Sequence, residues 1–203
     1  MAGMARPKNQ GARREALIEA AGRAISERGI AALRIKDIAA EAGVSAGSVL
    51  YYYPELDDLV FEVHSGAVER FLARRHAVTD GLPDPVERLR AAASSGLPAD
   101  ADDAGHRLLY ELHGLADRST AHAALMGSLF ARETALYATV LELGVAAGDF
   151  SLTEPVADVA RNLVTLEDGY GLHIVSRNAA VDRATALRLL LGYARSATGC
   201  PRL

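Results

Sequence analysis

Apolar residues in this chain recur at steps of three and four, and nowhere alternate with polar ones over a useful length. That pattern predicts an all-α protein of about nine helices. The first is expected over 11–28, with Leu17, Ala21, Ala24 and Ile25 as its apolar stripe and Gly29 as its stop. Residues 1–9, small, polar and basic, read as disordered. Two short helices follow within 35–53, and Pro54 ends the second. A fourth is expected over 56–78, turning Leu59, Val60, Val63, Ala67 and Phe71 inward. Two prolines, Pro83 and Pro85, mark a turn, and a short helix is expected over 87–93. Residues 94–105 read as a loop, or as the acid-capped start of the next helix. Further helices are expected over 106–116, 121–144, 155–176 and 181–196. No internal repeat or low-complexity tract is present.

The stretch 35–53 carries the most information. Ile35, Ile38, Ala39 and Ala42 give its first helix one apolar face, and Gly43 supplies the left-handed position that ends a helix. Val44 plugs the turn. Ser45 suits the N-cap of the second helix. Val49 and Tyr53, four apart, pack back on the first helix. Ala46, Gly47, Ser48, Tyr51 and Tyr52 then face outward. A helix that starts with small residues and carries exposed tyrosines fits a major groove. The backbone comes close, and phenol hydroxyls reach phosphates or base edges.

These residues resemble the DNA-binding domain of the tetracycline-repressor (TetR) family of bacterial regulators. The matching positions are Ile38-Ala39, Ala42-Gly43-Val44-Ser45, Gly47-Ser48 and Tyr51-Tyr52-Tyr53-Pro54. The motif resemblance covers roughly residues 13–60; beyond it only the all-helical pattern is similar. The chain departs from the family pattern at Leu50, where a tyrosine is usual, at Leu56, where a lysine often follows the proline, and at Arg34, where a threonine usually caps the helix. Arg34, Lys36 and Tyr52 are the candidate replacements for the customary phosphate contacts. The DNA-contacting set is therefore Arg34, Lys36, Ser45, Ala46, Gly47, Ser48, Tyr51 and Tyr52. Ser48 and Tyr51 are expected nearest the base edges.

The resemblance implies a head at residues 1–54 and a helical effector-binding and dimerisation body at 55–203. Charge agrees with that division. The 203-residue chain has a net charge of −4, which taken whole argues against a nucleic-acid binder. Residues 1–54, however, hold eight Lys/Arg against five Asp/Glu, and the remainder is net −7. A basic head on an acidic body is the footprint expected when only the head meets phosphate. Half of the residues are apolar, enough for a sizeable core. One cysteine, Cys200, excludes an intrachain disulfide and a cysteine-built metal site. With no membrane-length apolar run and no signal core, a reducing cytoplasm is the expected compartment.

In the body, Val159, Leu163, Leu166, Tyr170 and Ile174, with Ala184, Leu187, Leu191 and Ala194, carry more apolar surface than one stripe needs. Both a dimer interface and plain core fit. The resemblance implies a four-helix dimer bundle, with Leu163, Leu166, Tyr170, Leu187, Leu191 and Ala194 as the interface. Gly169 and Gly171, inside a helix, fit close helix approach. His106, Tyr110, His113 and Asp117 share one helical face. The two histidines stand seven apart, roughly 10 Å along the axis, too far for easy chelation, so a solvated face or pocket wall is expected rather than a metal site. Glu133, beside Phe130 and Tyr137, can pair with an arginine or meet a cationic ligand. His64 is either a pocket residue or a satisfied core histidine. Glu167-Asp168 fits a pocket cap or ordinary intersubunit ion pairs. The candidate ligand-contacting residues are His64, Phe71, Tyr110, Phe130, Glu133, Tyr137 and Tyr170.

The sequence contains no catalytic, phosphate-loop or di-iron motif. No cofactor, metal or enzymatic activity is expected. The expected function is a ligand-responsive homodimeric regulator, a repressor released from double-stranded operator DNA by a small molecule. The alternative is a helical small-molecule-binding or scaffolding protein that no longer reads DNA, prompted by Leu50 and Leu56.

Overall fold

The computed structural model describes residues 6–203, with side chains from Gln10 onward. Nine α-helices and two short 3₁₀ turns make up the regular structure, with no strand among the described residues. They are α1 (Arg6–Arg28), α2 (Ile35–Ala42), α3 (Ala46–Tyr52), α4 (Leu56–Thr79), α5 (Pro85–Gly96), α6 (Ala104–His113), α7 (Thr120–Ala147), α8 (Val156–Val175) and α9 (Arg183–Thr198). The 3₁₀ turns are Ile30–Ala32 and Gly114–Asp117. Helix α1 starts at Arg6 rather than at 11, so the disorder expected for 1–9 does not extend to 6–9. Pro7 falls in the first turn, where its missing N–H breaks no helical bond. The rest of that expectation, residues 1–5, lies outside the described residues.

The chain forms two compact units. The first takes residues 1–68 and 108–123; the second takes 69–107 and 124–203. Helices α4, α6 and α7 each supply residues to both.

In the first unit the expected stripes are buried: Leu17, Ala21, Ala24 and Ile25 of α1, Ile38 and Ala39 of α2, Val49 and Tyr53 at α3, and Leu59, Val60 and Val63 of α4. Surface ion pairs add orientation more than stability. Arg28 meets Asp37 at 2.8 Å and Arg23 meets Glu41 at 2.6 Å, tying α1 to α2.

In the second unit, α5 extends to Gly96, so part of the expected 94–105 loop is helical. Asp84 caps it, accepting from Val86 N at 3.0 Å. Asp182 caps α9 in the same way, accepting from Thr185 N at 2.7 Å. Buried faces of α5, α7, α8 and α9 share one core, which includes Leu89, Tyr137, Val140, Leu141, Leu163 and Leu190.

Candidate nucleic-acid interface and buried charge cluster

The turn between α2 and α3 forms as its residues dictate. Gly43 sits at φ 65°, and Val44 N donates to Ala39 O at 2.9 Å, closing the end of α2. Ser45 Oγ accepts from Ser48 N at 3.1 Å and starts α3. At the front of α2, Arg34 occupies the N-cap but offers no acceptor. The capping interaction runs the other way: Asp37 accepts from Arg34 N at 3.1 Å.

With Val49 and Tyr53 buried, α3 can turn only its other faces to solvent. Arg34, Lys36, Ser45, Ala46 and Gly47 are exposed, Ser48 and Tyr52 half-buried, and Tyr51 is 72% exposed. Tyr51 and Tyr52 meet edge to face, ring centroids 5.2 Å apart. A Cβ built on Gly47 would find only Ser45 Oγ, at 3.9 Å, so the glycine is not there for internal packing. The end of α3 is braced from behind. Arg14 donates to Tyr52 O at 3.3 Å and pairs with Glu62, while Tyr53 Oη donates to Glu62 at 2.6 Å. The Arg14 guanidinium lies over the Tyr53 ring, 4.4 Å from its centre. Burial, then the bond to Glu62, raises the Tyr53 pKa, so the phenol stays a donor at neutral pH.

His64 is fully buried within the first unit, and its Nδ1 lies 2.7 Å from Nδ1 of His122. The rings stack at 23°, and Phe61 meets His122 edge to face. Two facing ring nitrogens at that distance share one proton. Burial, then the neighbouring His122, lowers the His64 pKa to about 4. His122 is lowered by burial against the pull of Asp57. The pair is therefore neutral at physiological pH. Nothing in the sequence marked His122 as the partner.

The second unit buries a charge cluster. Arg75, fully buried, donates to Glu133 at 2.9 Å and to both oxygens of Glu167, one of them at 3.0 Å. It also reaches Ala92 O at 3.3 Å, and Tyr137 donates to Glu167. Burial opposes the Arg75 charge, but Glu167, Tyr137 and Glu133 overcome it and raise its pKa. Burial, then the Glu167 charge, holds the Glu133 carboxyl well above the usual carboxylate range. Arg75 thus meets both carboxylate oxygens of Glu167 but only one of Glu133. A Cβ at Gly96 would overlap the Glu167 carboxylate, so that carboxylate occupies the space of a missing side chain. Arg75 was missed by the sequence reading, although it falls four residues past Phe71 on the buried stripe of α4.

The remaining candidates are dispersed. Phe71 is buried beside Arg75 and meets His106 edge to face. Tyr170 packs against the core of the second unit. Phe130 is 38% exposed. Tyr110 is half-buried in the first unit. His106 corrects the expectation of a solvated face: it is buried, with Nε2 3.0 Å from Gly96 O and Nδ1 3.1 Å from Asp103. Among the described residues no group of three or more His, Cys, Asp or Glu is placed to hold a metal.

Two expected interface residues are also corrected. Leu163 and Ala194 have no exposed surface and belong to the core of their own chain. Leu166, Leu187 and Leu191 are half-buried against that core. The outward apolar residues of α8 and α9 are Leu172, 51% exposed, and Leu189, 38% exposed.

Residues 17–63 match the family profile described as bacterial regulatory proteins, tetR family. The chain is 30% identical over 144 residues to the transcriptional repressor KstR2 of Rhodococcus jostii (strain RHA1), covering 68% of this chain and 68% of that protein. This chain belongs to the tetR family. KstR2 of Mycobacterium tuberculosis (strain ATCC 25618 / H37Rv) is 33% identical over 78 residues, and there the match spans 38% of this chain and 39% of that protein. A TetR transcription regulator from Haloarcula marismortui ATCC 43049 superimposes with a TM-score of 0.83 at 26% identity, covering 93% of this chain and 99% of that one. The all-helical tetR fold expected from the sequence is thus the fold found. No described helix of this tetR-family chain is long and apolar enough to cross a membrane.

Proposed function

We propose that this protein is a cytoplasmic, homodimeric repressor that binds operator DNA through α2 and α3 and is released by a small molecule held in its body. The observation that carries the reading is the outward face of α3. Val49 and Tyr53 are buried, while Ala46, Gly47 and Tyr51 face solvent around a glycine with no packing role. A side-chain-free helix start beside an exposed phenol admits a groove edge. Arg34 and Lys36, exposed at the front of α2, contribute phosphate contacts. The relatives named as transcriptional repressors support repression rather than activation.

Dimerisation uses the outward residues of α8 and α9, with Leu172 and Leu189 replacing Leu163 and Ala194 in the expected set. The effector belongs to the second unit, where the candidate contacts are Glu133, Tyr137, Phe71, Phe130 and Tyr170; Glu133 and Tyr137 already bond within the Arg75 cluster, so an effector reaching them would have to open it. A Glu133 carboxyl whose pKa is raised by burial can donate a proton to an acceptor or ionise against a cation. His64 and Tyr110 belong to the first unit and sense the effector indirectly. A ligand changes operator affinity only through its different affinity for the bound and released states, typically ~1–3 kcal/mol of coupling.

The test is a gel shift of the full chain against DNA flanking its own gene, with random DNA as competitor. Sequence-selective retention, weakened by added salt, is the expected result. Equal binding of flanking and random DNA at every salt concentration would leave the scaffolding alternative standing.

A further inference from the structure

The first unit contains a cleft of about 870 Å³, within the size range of small-molecule sites. The end of α3, the start of α4 and the turn before α7 form its walls. Tyr52, Tyr53, Phe61 and His122 line it with rings, and Asp57 and Asp58 line it with carboxylates.

The charges in the cleft do not cancel. Arg14 and Glu62 neutralise one another through their ion pair. Arg118 is 82% exposed and faces Asp117 at 3.6 Å. Asp57 and Asp58 have no ion-pair partner among the described residues, and both are exposed. Acids in the first turn of α4 offset the helix dipole. That role accounts for their position but not for the ring-lined hollow in front of them.

The rings favour the same sign of charge. The face of an aromatic ring attracts a cation, most strongly where water is excluded. The Arg14 guanidinium over Tyr53 shows that one wall already accepts a cation. His122 adds a neutral, largely buried ring, held in place by its bond to His64 and by the edge of Phe61. A wall fixed in advance loses little freedom when a ligand arrives.

We infer that this cleft binds a small organic cation with an aromatic or apolar body, its ammonium group at Asp57 and Asp58 and its body against Phe61, Tyr52 and His122. The site lies within the first unit and does not include the effector residues of the second. It also touches α3 directly: Tyr52 belongs to that helix, and its carbonyl accepts from Arg14.

Titration calorimetry of the full chain with benzyltrimethylammonium tests this, with benzenesulfonate as an anion of similar size. Wild type should bind the cation saturably and the sulfonate not at all. The double variant Asp57→Asn, Asp58→Asn should keep its helical circular dichroism, because both residues are exposed and neither forms an ion pair among the described residues, and should bind the cation at least tenfold more weakly. Glu133→Gln, in the second unit, should bind it as wild type does. Absence of saturable cation binding, or equal affinity in the Asp57/Asp58 variant, overturns the proposal. So does binding lost in Glu133→Gln but kept in the Asp57/Asp58 variant, because the cation would then occupy the second unit.

Discussion

Arg75 and Glu133 touch the same buried cluster, yet replacing them should have very different consequences. Arg75→Met removes the guanidinium that bonds both carboxyl groups and leaves Glu167 buried beside Tyr137 without that counter-charge. Breaking a buried pair from one side costs about 3–5 kcal/mol. For a chain of this length, each kcal/mol lowers Tm by about 2–4 °C, so a fall of roughly 6–20 °C is expected. Glu133→Gln should cost less than about 1 kcal/mol, because a protonated carboxyl and an amide both accept from Arg75 and both donate. The two variants also differ in pH dependence. A folded-state pKa raised above the unfolded value means that the native state holds a proton the unfolded chain releases. Wild type should therefore lose stability as pH climbs through and above the usual carboxylate range. Glu133→Gln, having no such proton, should gain on wild type over that window. Thermal unfolding followed by circular dichroism at pH 5, 6.5 and 8 reads both effects. If Glu133→Gln were destabilised as much as Arg75→Met at all three values, Glu133 would be an ionised partner and the assignment of charge within the cluster wrong.

Four further outcomes are expected. Gly47→Val should leave the melting curve near wild type, since a Cβ there meets nothing closer than 3.9 Å, but should abolish operator retention in a gel shift; wild-type affinity would mean that α3 does not enter the groove. Lys36→Ala should weaken operator and random DNA alike and reduce the salt slope by roughly one unit per head, measured by fluorescence anisotropy across a salt series. Leu172→Arg with Leu189→Arg should keep a folded chain, because both positions are solvent-exposed in it, while halving the mass seen by light scattering; an unchanged dimer would move the interface elsewhere. His64, with its pKa lowered from 6.5 to about 4, stays neutral where the unfolded chain binds a proton, so stability should fall as pH drops through that window and His64→Asn should flatten the fall in an acid titration.

The head was legible in the sequence because its determinants are local. Gly43, Ser45 and the spacing of Ile38, Val49 and Tyr53 each act within one or two turns of helix, and each does what its chemistry requires. Helix ends were less legible. Helix α5 runs on to Gly96, which faces Glu167, a residue 71 positions away that no local pattern announces. Partner identity was least legible. Glu133 was visible as a carboxylate in an apolar helix, but Arg75 and Glu167 stand on two other helices, and only the folded chain brings the three together. His64 and His122 are separated by 58 residues in the same way.

The corrected interface residues show how far periodicity can carry such a reading. On α8, Leu163 and Leu166 recur with helical spacing, and on α9 so do Leu187 and Leu191. Spacing shows that residues share a face but not what covers it. Leu163 and Ala194 are covered by their own chain, whereas Leu172 and Leu189 stand outside that stripe. An apolar residue that breaks the stripe of its own core is costly to leave in water. Two of them on adjacent helices are a better signal of a partner than the stripe itself, since the stripe is already needed for folding. The same reasoning applies to α3. Val49 and Tyr53 explain why that helix folds, and only the residues folding does not need, Gly47 and Tyr51 first among them, can report what it binds.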